Sequence, residues 1–325
     1  VIPGFLYILL FNLQLMKKDL TKISDLSQKE IMEIIEMAFR YKNGEEIDPV
    51  LKGKVVAMVF EKPSLRTKVA FEVATAKLGG IPVYLTSGQI MASGNNEKGR
   101  ESIPDIAKNL ERFADLILAR VYSHSTIQTI AGSVKIPLIN ALCDKYHPTQ
   151  ALADLMTIIW HKKNYKNLKV AFVGDGNNVA TSLMQICAIV GINFSIASPE
   201  GYGISQDAYE EIYEQKLANN VAIEFCANPA NAVENADVIY TDTFISMGEE
   251  EMKLEKMKSF HGYQVTKKLL EFAKPDAVFM HCLPAHRGEE VTDEVMDCPQ
   301  SVIFDQAECR MHIAKALLTF YLQKI

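Results

Sequence analysis

Residues Phe60-Glu61-Lys62-Pro63-Ser64-Leu65-Arg66-Thr67-Lys68 gather hydroxyl, guanidinium and backbone donors into one short stretch. An apolar run from Lys54 to Phe60 precedes them and reads as a buried parallel strand. Val69 to Leu78 follows, apolar at helical spacing and stopped by Gly79-Gly80. A strand, a tight turn and a helix leave unpaired N–H groups and the positive end of a helix dipole at residues 64–67, which suits an anion. Ser64 and Thr67 add hydroxyls, and Arg66 adds a planar fork matched to two phosphate oxygens. Ser64 is also a preferred helix cap, so an N-cap with a solvated arginine is the competing reading.

Other chemistry-bearing residues fall at the ends of apolar runs. Arg120 closes a strand over Asp115 to Val121, and His147-Pro148-Thr149-Gln150 opens an apolar helix from Ala151 to Trp160. In the second half four strand ends stand out: Gly174 to Asn178; Tyr240-Thr241-Asp242 with Ser246-Met247-Gly248 beyond; Met280-His281-Cys282-Leu283-Pro284-Ala285-His286-Arg287-Gly288; and Asp305 to Arg310. In a parallel sheet all four edges face one crevice. An anion site facing a carboxylate, a thiol, an asparagine, a serine and an arginine suits joining a phosphate-bearing donor to a small amine-bearing acceptor. Asp242 would hold an ammonium group, and Arg66 would stabilise charge growing on departing phosphate. Cys282 has four readings: a packed thiol, a polar group at a strand end, a metal ligand, or a nucleophile. His281 is adjacent, but along a strand it points to the opposite face. The histidines around Cys282 fit no standard zinc spacing.

The elements that must position these residues alternate strand and helix. Strands are expected at 54–60, 81–86, 115–121 and, in the second half, at 169–174, 193–197, 221–226, 237–241, 277–283 and 301–304. Helices fall between them, beginning with an amphipathic one from Ser27 to Arg40. The fold class is α/β: two doubly wound parallel-sheet domains joined by interdomain helices. The expected division is 16–146, an interdomain helix at 147–163, a second domain at 164–304 and a C-terminal helix at 305–325 packing back on the first domain. Ser87 to Gly99 is polar and glycine-rich, hence a mobile loop, either a binding lid or an idle surface loop. Gly174 and Gly176 open a G-x-G-x-x-G pattern, but Val179 takes the third glycine's place, which weakens a dinucleotide reading.

At 325 residues two domains are the natural expectation, and 48% hydrophobic with 23% charged residues is a soluble globular composition. The net charge of −6 argues against a nucleic-acid partner. Six cysteines without a CxxC pair read as reduced thiols of a cytoplasmic protein. Val1 to Leu15 is apolar, lacks a basic flank and is too short to span a bilayer, so no membrane partner is expected. Met16-Lys17-Lys18 looks like a more ordinary start, and residues 1–15 are expected to be an upstream or appended extension.

Four motifs in order resemble those of the aspartate/ornithine carbamoyltransferase family. Phe60 to Thr67 resembles the S-T-R-T carbamoyl-phosphate signature, and His147 to Gln150 its H-P-T-Q segment. His281-Cys282-Leu283-Pro284 matches the H-C-L-P of the ornithine members, where aspartate members have H-P-L-P. Asp242 with Ser246-Met247-Gly248 resembles the ornithine loop, and the likeness runs from about residue 20 to the C-terminus. The resemblance implies that 16–146 binds carbamoyl phosphate and 164–304 binds ornithine. It implies that Ser64, Leu65 (main chain), Arg66, Thr67, Arg120, His147 and Gln150 hold carbamoyl phosphate, with Cys282, Leu283 and Arg310 completing the carbamoyl contacts. Gln89 would reach a neighbouring subunit's site, and Asn178, Asp242, Ser246 and Met247 would grip ornithine. Arg66, Arg120, His147, Asp242, Cys282 and Arg310 are the implied catalytic set, with no metal, no cofactor and an assembly of trimers or multiples of trimers. The implied reaction is attack of the neutral ornithine side-chain amine on the carbamoyl carbon, its oxyanion held by Arg120, His147 and Thr67.

Two departures stand inside the first motif. Leu65 replaces the usual threonine and Lys68 the usual arginine, and both are expected to weaken phosphate binding modestly. Other acceptors (putrescine, N-acetylornithine, aspartate), a nicotinamide oxidoreductase and a non-catalytic regulatory relative are the alternative readings.

Overall fold

The structure, a computed structural model, describes residues 18–45, 49–90, 101–245 and 250–323. The expected N-terminal extension, Ser246 and Met247 lie outside the described residues. Strands β1 (Val55–Phe60), β2 (Ile81–Thr86), β3 (Leu116–Arg120) and β4 (Leu138–Leu142) form one parallel sheet in the order β2-β1-β3-β4. Strands β5 (Lys169–Val173), β6 (Asn193–Ala197), β7 (Ile223–Cys226), β8 (Val238–Thr241) and β9 (Val278–His281) form a second, in the order β7-β6-β5-β8-β9. In both sheets the order runs outward in two directions from a central strand, so the fold is doubly wound twice over. β3 and β4 are buried at every position, as expected for parallel strands covered on both faces by helices.

The helices used below are α1 (Gln28–Lys42), α2 (Leu65–Lys77), α3 (Ile103–Leu110), α4 (His124–Ser133), α5 (Pro148–Lys162), α6 (Asn178–Val190) and α7 (Ile303–Leu322). Their starts follow local chemistry. Ser27, Ser64, Ser102, Ser123 and Asn177 each cap the following helix by accepting a backbone N–H. α5 is buried along most of its length and joins the two sheets, and α7 packs on α1, α2 and α5. The Tyr41 and Thr319 hydroxyls hydrogen-bond at 2.7 Å between α1 and α7. A single apolar core therefore runs from β1 through α5 and α7 into β5 and β6.

Several expectations need correction. Residues 301–304 are not a strand: Ser301 makes one isolated bridge to Phe279, and α7 has begun by Ile303. A short apolar run such as Val302-Ile303-Phe304 reads equally as strand or helix, and here it leads into a long helix that begins at Ile303. The last strand stops at His281, so Cys282 and Leu283 lie just past its end. Ser87–Ile90, expected within a loop, is a helical turn, and 91–100 lie outside the described residues. α5 begins at Pro148 rather than Ala151, which puts Thr149 and Gln150 inside the helix. Among the described residues no helix is long and apolar enough to cross a membrane, and all six cysteines are free thiols.

Candidate active site

The ends of β1, β3, β8 and β9, with the starts of α2, α5 and α6, surround a cavity of about 500 Å³ between the two sheets. Its wall includes Ser64, Leu65, Arg66, Arg120, His147 and Gln150 from the first half and α5. Opposite stand Asn178, Asp242, Cys282 and Leu283, while Arg310 of α7 reaches toward the start of α2. Thr67 and Gln89 are not on this wall. Thr67 is fully buried, and its Oγ1 accepts from Arg310 Nη2 at 2.6 Å. Gln89 is exposed and its Oε1 accepts from the N–H of Thr86 at 2.9 Å.

At the anion end, Ser64 Oγ accepts the N–H of Thr67 at 3.2 Å, so the capping reading of Ser64 holds within α2. The next N–H groups of a first helical turn have no intrahelical partner, and Ser64, Leu65 and Arg66 line the cavity. Glu61 Oε2 accepts the N–H of Tyr122 at 2.8 Å, tying the turn after β1 to the end of β3. The β3–β4 register shifts between Ala119 and Arg120, an irregularity that re-aims the side chain at the strand end. Arg120 is buried, and burial, then repulsion from Arg310 and Arg66, lowers its pKa to about 10. Burial chiefly lowers Arg310 to about 10 as well, and pulls Arg66 below the usual arginine value. Arg120 Nε has no hydrogen-bond partner among the described residues. Three crowded, desolvated guanidiniums are costly unless an anion joins them. His147 sits at the N-cap of α5, but its side chain makes no capping bond, and its N–H donates to Ser182 Oγ at 2.8 Å. Burial and the two arginines push its pKa well below 6.5, so the imidazole is neutral and serves as a hydrogen-bonding group.

At the other end, Asp242 is buried just after β8. Its Oδ2 accepts from Asn177 Nδ2 at 2.9 Å and its Oδ1 from the Cys282 thiol at 3.0 Å. Burial and the Asp242 charge push the Cys282 thiol well above its usual pKa, which is the opposite of what a nucleophile needs. His281 turns away and is fully buried. Its Nδ1 accepts the N–H of Leu283 at 2.9 Å, and its Nε2 lies 3.2 Å from Glu290 Oε1. Asp242, His281 and Cys282 offer ligand atoms within 4.8 Å of one another, yet both nitrogens of His281 are already engaged. Cys282 is thus a donor that braces Asp242. Iodoacetamide at neutral pH is expected to leave Cys282 unlabelled in native protein and to label it after denaturation; rapid native labelling, read by mass spectrometry, would contradict this.

Asn178 Nδ2 donates to the carbonyl of Cys143 at 2.5 Å. Leu283 adopts φ 59°, a left-handed conformation unusual for leucine, at the turn that closes the cavity. Leu65 is 73% exposed, and Lys68 pairs with Glu72 at 2.9 Å, off the cavity wall. Three useful residues were not singled out from sequence. Lys62 is buried on the wall with its ammonium 4.6 Å from the centre of the Tyr122 ring, within the already noted 60–68 stretch. Asn177 both caps α6 and holds Asp242. Asp154, deep in α5, gave no local signal.

Burial pushes the Asp154 carboxyl from 3.8 up to about 7. The folded chain then holds a proton that the unfolded chain releases. The stability linked to it is full below the unfolded pKa and is lost as pH rises toward about 7. Asp154→Asn removes this titration. Its melting temperature relative to wild type is therefore expected to rise between about pH 5 and about pH 8; a constant difference would refute the shift.

The G-x-G start also has a structural reason. A Cβ on Gly176 would lie 2.3 Å from the backbone of Gly203 and Ile204, and the N–H of Gly176 donates to Tyr202 O at 2.7 Å. The close approach that a dinucleotide would need is taken by the chain itself.

Two doubly wound domains with an anion pocket on one and a carboxylate–thiol pair on the other define a two-substrate group-transfer fold. The family model of the aspartate/ornithine carbamoyltransferase carbamoyl-P binding domain matches residues 18–159, and that of the Asp/Orn binding domain matches 166–321. The chain belongs to the aspartate/ornithine carbamoyltransferase family. It is 45% identical over 308 residues to the ornithine carbamoyltransferase of Bacillus subtilis, covering 94% of each chain. It is 43% identical over 302 residues to that of Caldicellulosiruptor saccharolyticus, covering 92% of this chain and 96% of the relative. The solved ornithine carbamoyltransferase from Pyrococcus furiosus superposes with a TM-score of 0.90 at 44% identity, covering 96% and 99% of the two chains.

Proposed function

We propose that this protein transfers the carbamoyl group of carbamoyl phosphate to the side-chain amine of L-ornithine, giving L-citrulline and phosphate. The observation that carries the reading is the polarity of one cavity: Arg66, Arg120 and Arg310 at one end, the Asp242–Cys282 pair at the other. Phosphate sits against Arg66 and the start of α2. The carbamoyl oxygen faces Arg120 and neutral His147. Ornithine lies along Asn178 and Asp242, oriented by Cys282. Its neutral amine attacks the carbamoyl carbon, the C–O bond to phosphate breaks, and the proton lost by the amine leaves with the phosphate. Arg120 and His147 gain strength as negative charge grows on the carbamoyl oxygen, and Arg66 does so as phosphate departs. Alignment of the two substrates across the cleft supplies much of the acceleration. Residues 16–146 are assigned to carbamoyl phosphate and 164–304 to ornithine, with 147–163 and 305–325 as the bridges between them.

A compound joining a phosphonoacetyl group to the ornithine side-chain nitrogen should bind at least about a hundredfold tighter than phosphate or ornithine alone. Binding no tighter than its halves would sink the reading. Cytoplasmic location is part of the proposal, supported by the free thiols. So is a homotrimer in which Gln89 reaches the next subunit. Gln89 is exposed and off its own cavity wall, and Ile81 and Val83 on the open edge strand beside it are exposed apolar residues. Sedimentation should give three chains or a multiple of three, and a monomer or dimer would refute it.

A further inference from the structure

Asp154 is fully buried in α5, and its Oδ1 accepts from Gln150 Nε2 at 2.8 Å and from Gln306 Nε2 at 2.7 Å. Its Oδ2 accepts from the Tyr240 hydroxyl at 3.2 Å. Gln306 Nε2 also donates to the Tyr240 oxygen at 2.9 Å, and Gln306 Oε1 accepts the N–H of His281 at 2.9 Å. One carboxyl thus ties α5, β8, β9 and α7 together. Each of these carries a cavity residue close by: Gln150 one turn earlier, Asp242 just past Tyr240, Cys282 next to His281, and Arg310 one turn beyond Gln306.

The bond has a polarity. Asp154 Oδ1 accepts, so the Gln150 amide must turn its NH2 toward Asp154 and its oxygen away. Gln150 lines the cavity, and its Oε1 is buried without a hydrogen-bond partner among the described residues. Such an oxygen is unfavourable until a ligand brings a donor. A carbamoyl group carries an NH2; inorganic phosphate carries no such group.

We infer that Asp154 is a positioning residue: it fixes the Gln150 amide so that its oxygen, not its nitrogen, meets the NH2 of the carbamoyl group. This rests on the carbamoyl-phosphate reading above. Without Asp154 the amide is free to flip and present a donor to a donor. The loss falls on the carbamoyl end and spares the phosphate end, whereas general damage to the fold would reach both.

The test is calorimetric binding of carbamoyl phosphate, acetyl phosphate (a methyl in place of the NH2) and inorganic phosphate to the full-length protein. Wild type should prefer carbamoyl over acetyl phosphate. Asp154→Ala should bind carbamoyl phosphate about thirtyfold more weakly, lose that preference, and keep phosphate affinity within about twofold. Gln150→Ala should show the same pattern, and the double variant should add nothing further. Asp154→Asn keeps the volume and one acceptor, guards against misfolding of the alanine variant, and should show a smaller loss of the same kind. Wild-type carbamoyl-phosphate affinity in the folded Asp154 variants would overturn the inference. So would equal loss of phosphate and carbamoyl phosphate, additive effects in the double variant, or a wild type indifferent to the NH2. A wild type that binds phosphate but not carbamoyl phosphate would instead bring down the proposed function first.

Discussion

Arg66→Met is expected to lower kcat/KM for carbamoyl phosphate by about a thousandfold, the largest single effect on the donor side. Arg66 is half-buried on the cavity wall, and burial already lowers its pKa, so its charge is poorly solvated and interacts strongly with an incoming phosphate. Removing one partner of a buried, hydrogen-bonded charge pair costs about 2–5 kcal/mol, and about 1.4 kcal/mol is a factor of ten. The loss should appear in KM and kcat together, because Arg66 meets phosphate in the bound state and more strongly as it departs. Arg66→Lys should recover only part of it, since an ammonium cannot reproduce the two-pronged contact. Steady-state kinetics with carbamoyl phosphate varied at saturating ornithine measures this. A change below about tenfold would mean that phosphate is held elsewhere.

The second large effect is on the acceptor side. Asp242→Asn should raise the KM for ornithine by about a hundredfold or more, leaving direct binding of carbamoyl phosphate within a few-fold of wild type. Asp242 already accepts from Asn177 and Cys282, so an asparagine amide there would turn its NH2 against one of two donors. The substitution removes the charge and disturbs the brace while keeping the volume. If ornithine KM is unchanged while carbamoyl-phosphate binding falls, the two ends of the cavity have been assigned the wrong way round.

Much of the site could be read in sequence because its residues sit where regular patterns end. Ser64, Arg66, Arg120 and Asp242 each stand at or just beyond a buried strand or at a helix start, positions that periodicity marks without knowledge of the fold. Asp154 was hidden for the opposite reason. It lies mid-helix, and the hydroxyl and amide that bond it there come from strand and helix positions 86 and 152 residues away, as well as from its own helix. Gly176 misled because a glycine needed for close backbone approach does not say what approaches, a ligand or residues 203–204. The 301–304 run misled because its three apolar residues, Val302 to Phe304, fit a strand, while the twenty-residue helix that begins at Ile303 is buried by packing against α1, α2 and α5.

The most direct measurement is ureido-product formation from carbamoyl phosphate with ornithine, putrescine, N-acetylornithine and aspartate offered in parallel. Rapid turnover is expected with ornithine and rates at least about a hundredfold lower with the other three, because only ornithine pairs its free amino-acid end with Asp242 and Asn178 while its side-chain amine reaches the carbamoyl carbon. Preferred turnover of another acceptor, or none with any of the four, would contradict it.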